Sequence, residues 1–332
     1  MPPSVAKVTL SNSNCFSSTE GASILDSAKT AGLILEHSCR TGKCGVCKAK
    51  VINGDTCLIR PETSLSEEEI SNGIILTCCR TAKSDLSLNI SDLGDLGKIQ
   101  ILTLPSRIDS IEFVAQDIAR IVLRLPPNNS FSCLAGQYIN IIGPTGAHRS
   151  YSIANNFNSE GKIELQVRKI ANGIMSQYWF NAAQVSDLLR FNGPHGTFFF
   201  RSKKERRIIF LATGTGIAPV KSMVEQFEQN PMLVKDKIIE IYWGNRTPEE
   251  FYWEPNFRKI EIAFNLILSR KNSDWKGMHG YVQDAALQIN SNLEDAVVYA
   301  SGSPIMVDSA KLLLTLNGLK EDCFFSDAFY SS

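Results

Sequence analysis

Cys39-Arg40-Thr41-Gly42-Lys43-Cys44-Gly45-Val46-Cys47 is a Cys-x4-Cys-x2-Cys run, and a further cysteine, Cys78, lies thirty-one positions beyond Cys47. This is the plant-type spacing for a [2Fe–2S] cluster, in which four thiolates hold two iron ions. Gly42 and Gly45 let the loop bend so that its amides can approach the sulfides. Structural zinc usually takes two Cys-x2-Cys knuckles, whereas the distal pair here is the adjacent Cys78-Cys79. A Rieske centre replaces two thiolates with histidines, and His37, two residues before Cys39, has no counterpart in a second cysteine–histidine pair. On an extended chain Cys78 and Cys79 would point in opposite directions, so only one can ligate, and spacing leaves the choice open.

Around this loop the composition sets the frame. A chain of 332 residues suits two or three domains, each with its own core. Its 34 Lys and Arg balance 34 Asp and Glu, which argues against a nucleic-acid or anionic membrane partner. There is no basic segment followed by an apolar run and cleavage site, and no apolar stretch long enough to span a bilayer, so a soluble, cytoplasmic protein is expected. Of nine cysteines four fit the cluster, and the other five read as ordinary thiols rather than a disulfide scaffold.

Residues 1 to about 90 hold short strand-like runs such as Val5 to Leu10, one helix-like stretch from Ser23 to Ala31 and the cysteine loop, which predicts a small sheet crossed by a helix. Ser91-Asp92-Leu93-Gly94-Asp95-Leu96-Gly97 reads as a linker. From Lys98 to about Arg201, short apolar runs punctuated by Pro126-Pro127, Gly143-Pro144 and Gly193-Pro194 predict an antiparallel barrel. Beyond Arg201 a strand (Arg207 to Ala212), a glycine turn, a helix (Val220 to Glu228) and a strand (Ile238 to Trp243) alternate, the pattern of a parallel doubly wound sheet. Ala212-Thr213-Gly214-Thr215-Gly216-Ile217-Ala218-Pro219 falls between strand and helix, where a turn cradles phosphate.

Three motifs in residues 98–332 resemble the ferredoxin–NADP reductase superfamily. Arg149-Ser150-Tyr151-Ser152 is similar to its Arg-x-Tyr-Ser signature, Gly173-Ile174-Met175-Ser176 to its Gly-x-x-Ser turn, and Gly214-Thr215-Gly216 with Pro219 to its Gly-Thr-Gly-x-x-Pro turn. On a strand Arg149 and Tyr151 share a face, so a cation can meet the flavin pyrophosphate while a phenol lies against the isoalloxazine ring. The resemblance implies FAD held by Arg149, Tyr151, Ser152, Arg168, Gly173, Met175 and Ser176, with Ser152 at the reactive flavin edge. It implies NADH, with NADPH as the alternative, held by Gly214, Thr215, Gly216, Pro219, Arg270, Gly302 and Pro304. Arg246, Arg270 and Lys271 could meet a 2′-phosphate or face solvent.

Ser301-Gly302-Ser303-Pro304 stands where the superfamily usually reads Cys-Gly-x-Pro, so Ser301 replaces the thiol beside the nicotinamide and slower hydride entry is expected. Phe329, in the tail Phe324-Phe325-Ser326-Asp327-Ala328-Phe329, is either the aromatic that covers the flavin or a core residue. His195, in Gly193-Pro194-His195-Gly196, reads as a loop residue. Ile75-Leu76-Thr77-Cys78 resembles the plant-type ferredoxin ending and selects Cys78 as fourth ligand, beside Cys39, Cys44 and Cys47.

The resulting fold class is multidomain α+β and α/β: a β-grasp ferredoxin domain at 1–92, an antiparallel flavin-binding β-barrel at 98–201 and a doubly wound parallel-sheet nicotinamide domain at 202–332. Residues 1–90 hold nine basic and nine acidic side chains. That neutrality suits a tethered cluster, which needs no electrostatic steering toward its donor. Segments such as Leu35-Glu36-His37-Ser38-Cys39 and Ala218-Pro219-Val220-Lys221-Ser222-Met223-Val224-Glu225 look closest to the reductases of CDP-6-deoxy-hexulose 3-dehydrases. That resemblance implies electrons passed from NADH through FAD and [2Fe–2S] to an iron–sulfur, pyridoxamine-phosphate dehydrase making 3,6-dideoxysugars of surface polysaccharide. An oxygenase component as acceptor, or a redox sensor without turnover, are the other readings.

Overall fold

A computed structural model describes residues 6–18, 21–94, 99–157, 160–201, 204–270 and 272–330. Val5, the linker's Asp95-Leu96-Gly97, Lys98 and Lys271, which entered the expectations above, lie outside them. The chain divides into two compact units, Met1–Gln100 and Ile101–Ser332.

In the first unit alternation decides which face is buried: Ala6, Val8 and Leu10 point inward while Lys7 is exposed. The strands are β1 (Ala6–Leu10), β2 (Cys15–Ser18), β3 (Lys48–Asn53), β4 (Thr56–Leu58), β5 (Ile74–Leu76), β6 (Arg80–Ala82) and β7 (Leu86–Leu88). Five of them form a sheet ordered β2-β1-β7-β3-β5 in which β1 and β7 are parallel, and β4 pairs with β6. Helix α1 (Ile24–Thr30) begins where the Ser23 hydroxyl accepts from the Asp26 amide at 3.0 Å, and lays Ile24, Leu25 and Ala28 on Val8, Leu76 and Leu86. Helix α2 (Glu67–Ser71) opens on a Ser66–Glu69 capping box. A mixed sheet crossed by α1 is the expected β-grasp. The cysteine loop fills the span between α1 and β3.

The second unit begins with six antiparallel strands: β8 (Leu102–Ala115), β9 (Ile118–Arg124), β10 (Tyr138–Ile142), β11 (His148–Ser152), β12 (Lys162–Arg168) and β13 (Leu188–His195), ordered β11-β10-β13-β8-β9-β12. Ile153 bridges Leu165, joining the two edge strands and closing a barrel, as expected. Ile121, Leu123, Ile139, Ile141, Ile163 and Leu165 fill it. The scarcity of helix signals here holds with one exception, α3 (Ile174–Gln177), which runs into a π-helical turn at Tyr178–Ala182.

Six parallel strands follow, β14 (Arg207–Thr213), β15 (Ile238–Asn245), β16 (Ala263–Leu268), β17 (Met278–His279), β18 (Ala296–Gly302) and β19 (Phe324–Ala328), ordered β17-β16-β15-β14-β18-β19. Ile208, Phe210 and Ala212 of β14 pack with α4 (Ile217–Gln229), while Ile209 and Leu211 pack with α5 (Val282–Ile289) and α6 (Pro304–Leu316). Both faces are therefore covered, which is why these strands read as continuous apolar runs. The strand order reverses between β14 and β18, and doubly wound sheets bind ligands at the carboxyl ends of that pair.

Candidate redox site

The cysteine loop and the turn at 77–79 set the four predicted ligands in two pairs, Cys39 with Cys44 and Cys47 with Cys78. The Cys39 amide donates to Cys44 Sγ at 3.5 Å, and the Thr41 amide to Cys39 Sγ at 3.4 Å. Proton sharing within each pair lowers the Cys39 and Cys78 thiols, while Cys44 and Cys47 are pushed up. Among the described residues no three metal-binding side chains converge on one point. A two-iron cluster does not require it, because each iron takes two of the four thiolates. Two thiol pairs, ringed by backbone amides, are a donor set that fits the cluster and is ill suited to a single zinc ion. Gly42, at φ +80°, is close-packed: a Cβ there would overlap the Pro61 carbonyl and lie 2.8 Å from Cys79 Sγ.

One premise of the ligand choice is corrected. Residues 77–79 form a turn rather than an extended chain, and the Cys78 and Cys79 sulfurs lie 3.5 Å apart instead of on opposite sides. Proximity alone therefore does not separate them.

In the barrel, Arg149 and Tyr151 alternate on β11 with Ser150 and Ser152, as the motif predicts. The Tyr151 hydroxyl accepts from Trp179 Nε1 at 3.0 Å, and burial pushes it up to about 12, so this phenol stays neutral and oriented. Ser176 Oγ accepts the Ile170 amide at 2.9 Å beside Gly173. Met175 is buried against Gly143. His195, expected in a loop, is instead the buried last residue of β13, its Nε2 2.7 Å from Asn192 Oδ1 and its ring facing Tyr138.

At the switch point the two predicted turns interlock. A Cβ on Gly216 would overlap the Ser301 carbonyl oxygen, and one on Gly302, at φ +142°, would overlap Thr213 Oγ1, so both positions require glycine. Trp243 Nε1 donates to the Gly214 carbonyl at 2.9 Å. Pro219 is buried in the first turn of α4, where its missing N–H costs no helical bond. Thr215 is half-buried, and Pro304 opens α6, whose cap is the Ser303 hydroxyl. Tyr299 to Gly302 form the end of β18 itself, whereas Ser269 and the exposed Arg270 follow β16, as expected. Ser301 is fully buried, and its Oγ has no hydrogen-bond partner among the described residues. Phe329 is half-buried, and its amide donates to the Gly302 carbonyl at 2.8 Å.

Arg168, expected to help hold the flavin, lies instead against Gly214 of the nicotinamide turn and is held by Asp117 at 2.9 Å and Glu250 at 2.7 Å. Two groups escaped the sequence reading. Asp327, buried and in register with Ser301, accepts from Ser152 Oγ at 3.4 Å, which joins the flavin strand to the nicotinamide crevice. Its signal was an acid inside an apolar tail. Lys221, buried in α4, donates to the Ala154 carbonyl at 3.0 Å and pairs with Glu164 at 3.1 Å and Glu225 at 2.7 Å, fastening α4 to the chain just past Ser152. A lysine in an apolar helix with glutamate at i+4 was its signal.

Family models agree with this division of chemistry. Residues 8–83 match a 2Fe-2S iron-sulfur cluster binding domain, 105–200 an oxidoreductase FAD-binding domain and 210–311 an oxidoreductase NAD-binding domain. The chain is 43% identical to the CDP-6-deoxy-L-threo-D-glycero-4-hexulose-3-dehydrase reductase of Yersinia pseudotuberculosis, covering 96% of each chain. It is 31% identical to a terephthalate 1,2-dioxygenase reductase component of a Comamonas species, over 96% of this chain and 95% of that one. The fold matches an Amycolatopsis cytochrome P450 reductase at a TM-score of 0.73, with 22% identity and 98% of each chain covered. The motifs, the sheet orders and these likenesses agree: the chain is an NAD(P)H-dependent iron–sulfur flavoprotein oxidoreductase using FAD and [2Fe–2S], and it belongs to the CDP-6-deoxy-hexulose-3-dehydrase reductase family of the ferredoxin–NADP reductase superfamily.

Proposed function

We propose that this reductase takes electrons from NADH and delivers them singly to a CDP-4-keto-6-deoxyhexose 3-dehydrase on the route to 3,6-dideoxysugars. Three functional parts carry it, at 1–92, 98–201 and 202–332. When bound, FAD accepts a hydride as an electron pair, and the [2Fe–2S] cluster takes one electron at a time.

The observation that carries the reading is the Ser152–Asp327 contact, because it sets the flavin strand beside the crevice formed by Gly214–Gly216 and Ser301–Pro304. In this reading Arg149 and the Gly173–Ser176 turn, with Met175, hold the flavin phosphates. Tyr151 stacks on the ring and Ser152 meets its reactive edge. The Gly214-Thr215-Gly216 turn, with Pro219 and Arg168 behind it, receives the nicotinamide diphosphate, while Arg270 lies toward the adenosine end. The Ser301 hydroxyl meets the nicotinamide, and Phe329 covers the flavin until nicotinamide arrives. Together they align two rings and keep water out, which is most of what hydride transfer asks of a protein. Cys39, Cys44, Cys47 and Cys78 hold the cluster. A cytoplasmic location accords with the absence, among the described residues, of any helix long and apolar enough to cross a membrane.

Anaerobic titration with NADH, followed by absorbance and electron paramagnetic resonance, tests the relay: flavin bleaching should be followed by a reduced [2Fe–2S] signal. Bleaching by dithionite but by neither NADH nor NADPH would refute it and favour a redox sensor. The 31% likeness to a dioxygenase reductase component keeps an oxygenase partner as the second reading. Reconstitution with a pyridoxamine-phosphate dehydrase and its CDP-sugar, against reconstitution with an oxygenase component, separates the two.

A further inference from the structure

Cys79 lies outside the four-thiolate set, yet it is fully buried, at 0% exposure. The turn at 77–79 folds its side chain back, so that its sulfur is 3.5 Å from Cys78 Sγ and 3.5 Å from the Pro61 carbonyl oxygen. On its third side it packs on Gly42 of the cluster loop, where a Cβ would come within 2.8 Å of the sulfur. Between two free thiols either sulfur could donate. An iron-bound Cys78 is a thiolate without a proton, so in a hydrogen bond between the two sulfurs Cys79 is the donor, the Pro61 carbonyl being the other acceptor within reach of its single S–H.

We propose that Cys79 is a positioning residue for the cluster's electronics, its S–H hydrogen-bonding the Cys78 ligand sulfur and raising the reduction potential of the [2Fe–2S] centre. The reduced cluster carries one more negative charge, spread in part over its sulfurs. A donor aimed at a ligand sulfur therefore stabilises the reduced state more than the oxidised one. The effect is strengthened by burial, which keeps water from competing for the sulfur. Thr41 and Cys39 supply amide donors to the other ligand pair. Cys79 supplies a side-chain donor to Cys78, and a side chain, unlike an amide, can be replaced without altering the loop.

The inference rests on Cys78 being the fourth ligand, and the test separates the two. The full-length holoprotein and its Cys79→Ala and Cys79→Ser variants are titrated potentiometrically, with the reduced cluster read by electron paramagnetic resonance. Cys79→Ala should assemble the cluster but hold about fivefold less of it reduced at a fixed potential, a shift on the order of 40 mV downward at 59 mV per tenfold. Cys79→Ser, which keeps a donor, should lie above Cys79→Ala. After exchange into deuterium oxide, electron–nuclear double resonance should show a coupled deuteron in the parent protein that Cys79→Ala lacks. An unchanged potential and unchanged deuteron coupling in Cys79→Ala would overturn the hydrogen bond. Loss of the cluster in Cys79→Ser but not in Cys78→Ser would overturn the ligand assignment beneath it.

Discussion

Ser301→Ala should stabilise this protein in the absence of nicotinamide and weaken it toward nicotinamide, an opposition that follows from one buried oxygen. Ser301 Oγ is fully buried without a hydrogen-bond partner among the described residues. An unsatisfied hydroxyl in such a place costs about 1–3 kcal/mol. Alanine removes that cost and leaves space for a single oxygen atom, so a net gain of about 1 kcal/mol is expected. For a unit of this size that is a rise of about 2–4 °C in the midpoint of the transition reported by bound flavin. In the proposed reading the hydroxyl acquires its partner once nicotinamide is bound, and alanine forgoes a hydrogen bond worth about 1 kcal/mol. That is roughly a fivefold higher Kd for NAD+, with flavin reduction slowed to match because ring alignment is lost. Thermal unfolding of the FAD-loaded variant with and without NAD+, together with stopped-flow reduction by NADH, reads both signs. A lower midpoint without nicotinamide, or an unchanged affinity, would refute the reasoning.

Cys78→Ser should lose the cluster and Cys79→Ser should keep it, as judged by iron analysis and visible absorbance; the reverse would exchange their roles. Lys221→Met leaves Glu164 and Glu225 without their buried cation and should destabilise the second unit by about 3 kcal/mol, with Lys221→Arg recovering part; a loss below about 1 kcal/mol would mean the tie is not in force. Hydrogen bonds from Arg124 and then Lys162 hold the Asp109 carboxyl at about 2, below its ordinary 3.8. Its stabilisation is present above the unfolded value and is lost as pH falls from about 4 toward 2, so Asp109→Asn should flatten acid unfolding of the barrel in that window and leave neutral pH little changed. Ser301→Cys restores the superfamily's thiol and should speed flavin reduction by NADH; a slower rate would show that the serine is adapted to this crevice.

What was legible in the sequence was whatever depends on local pattern. Alternation in Ala6–Leu10 and in the barrel strands, the glycine turn after β14 and the Cys-x4-Cys-x2-Cys run are each written within a dozen residues, and the sheets formed where they predicted. The turn of α4 was less so: its first residues Ile217-Ala218-Pro219 are helical, although a proline reads as a helix breaker, because the first helical turn has no N–H partners to lose. Contacts between distant segments were hidden. Nothing near Ser152 in sequence announces Asp327, and the folded-back turn that brings Cys79 to Cys78 cannot be told from a strand by periodicity in so short a stretch.

Arg168 shows how such long-range partners change the meaning of a motif residue. As a lone cation behind the Gly214 turn it would draw any phosphate, and with Arg246 nearby it would suit the extra phosphate of NADPH. In the fold both arginines are already engaged: Arg168 by Asp117 and Glu250, and Arg246 by the same two carboxylates at 3.6 and 3.4 Å. These two cations and two anions balance one another among the described residues. A phosphate reaching this corner would have to compete with Asp117 and Glu250 for the two arginines. The same pairing holds Arg168 against Gly214 as a fixed wall of the turn, so in the proposed reading its contribution to binding is shape before charge.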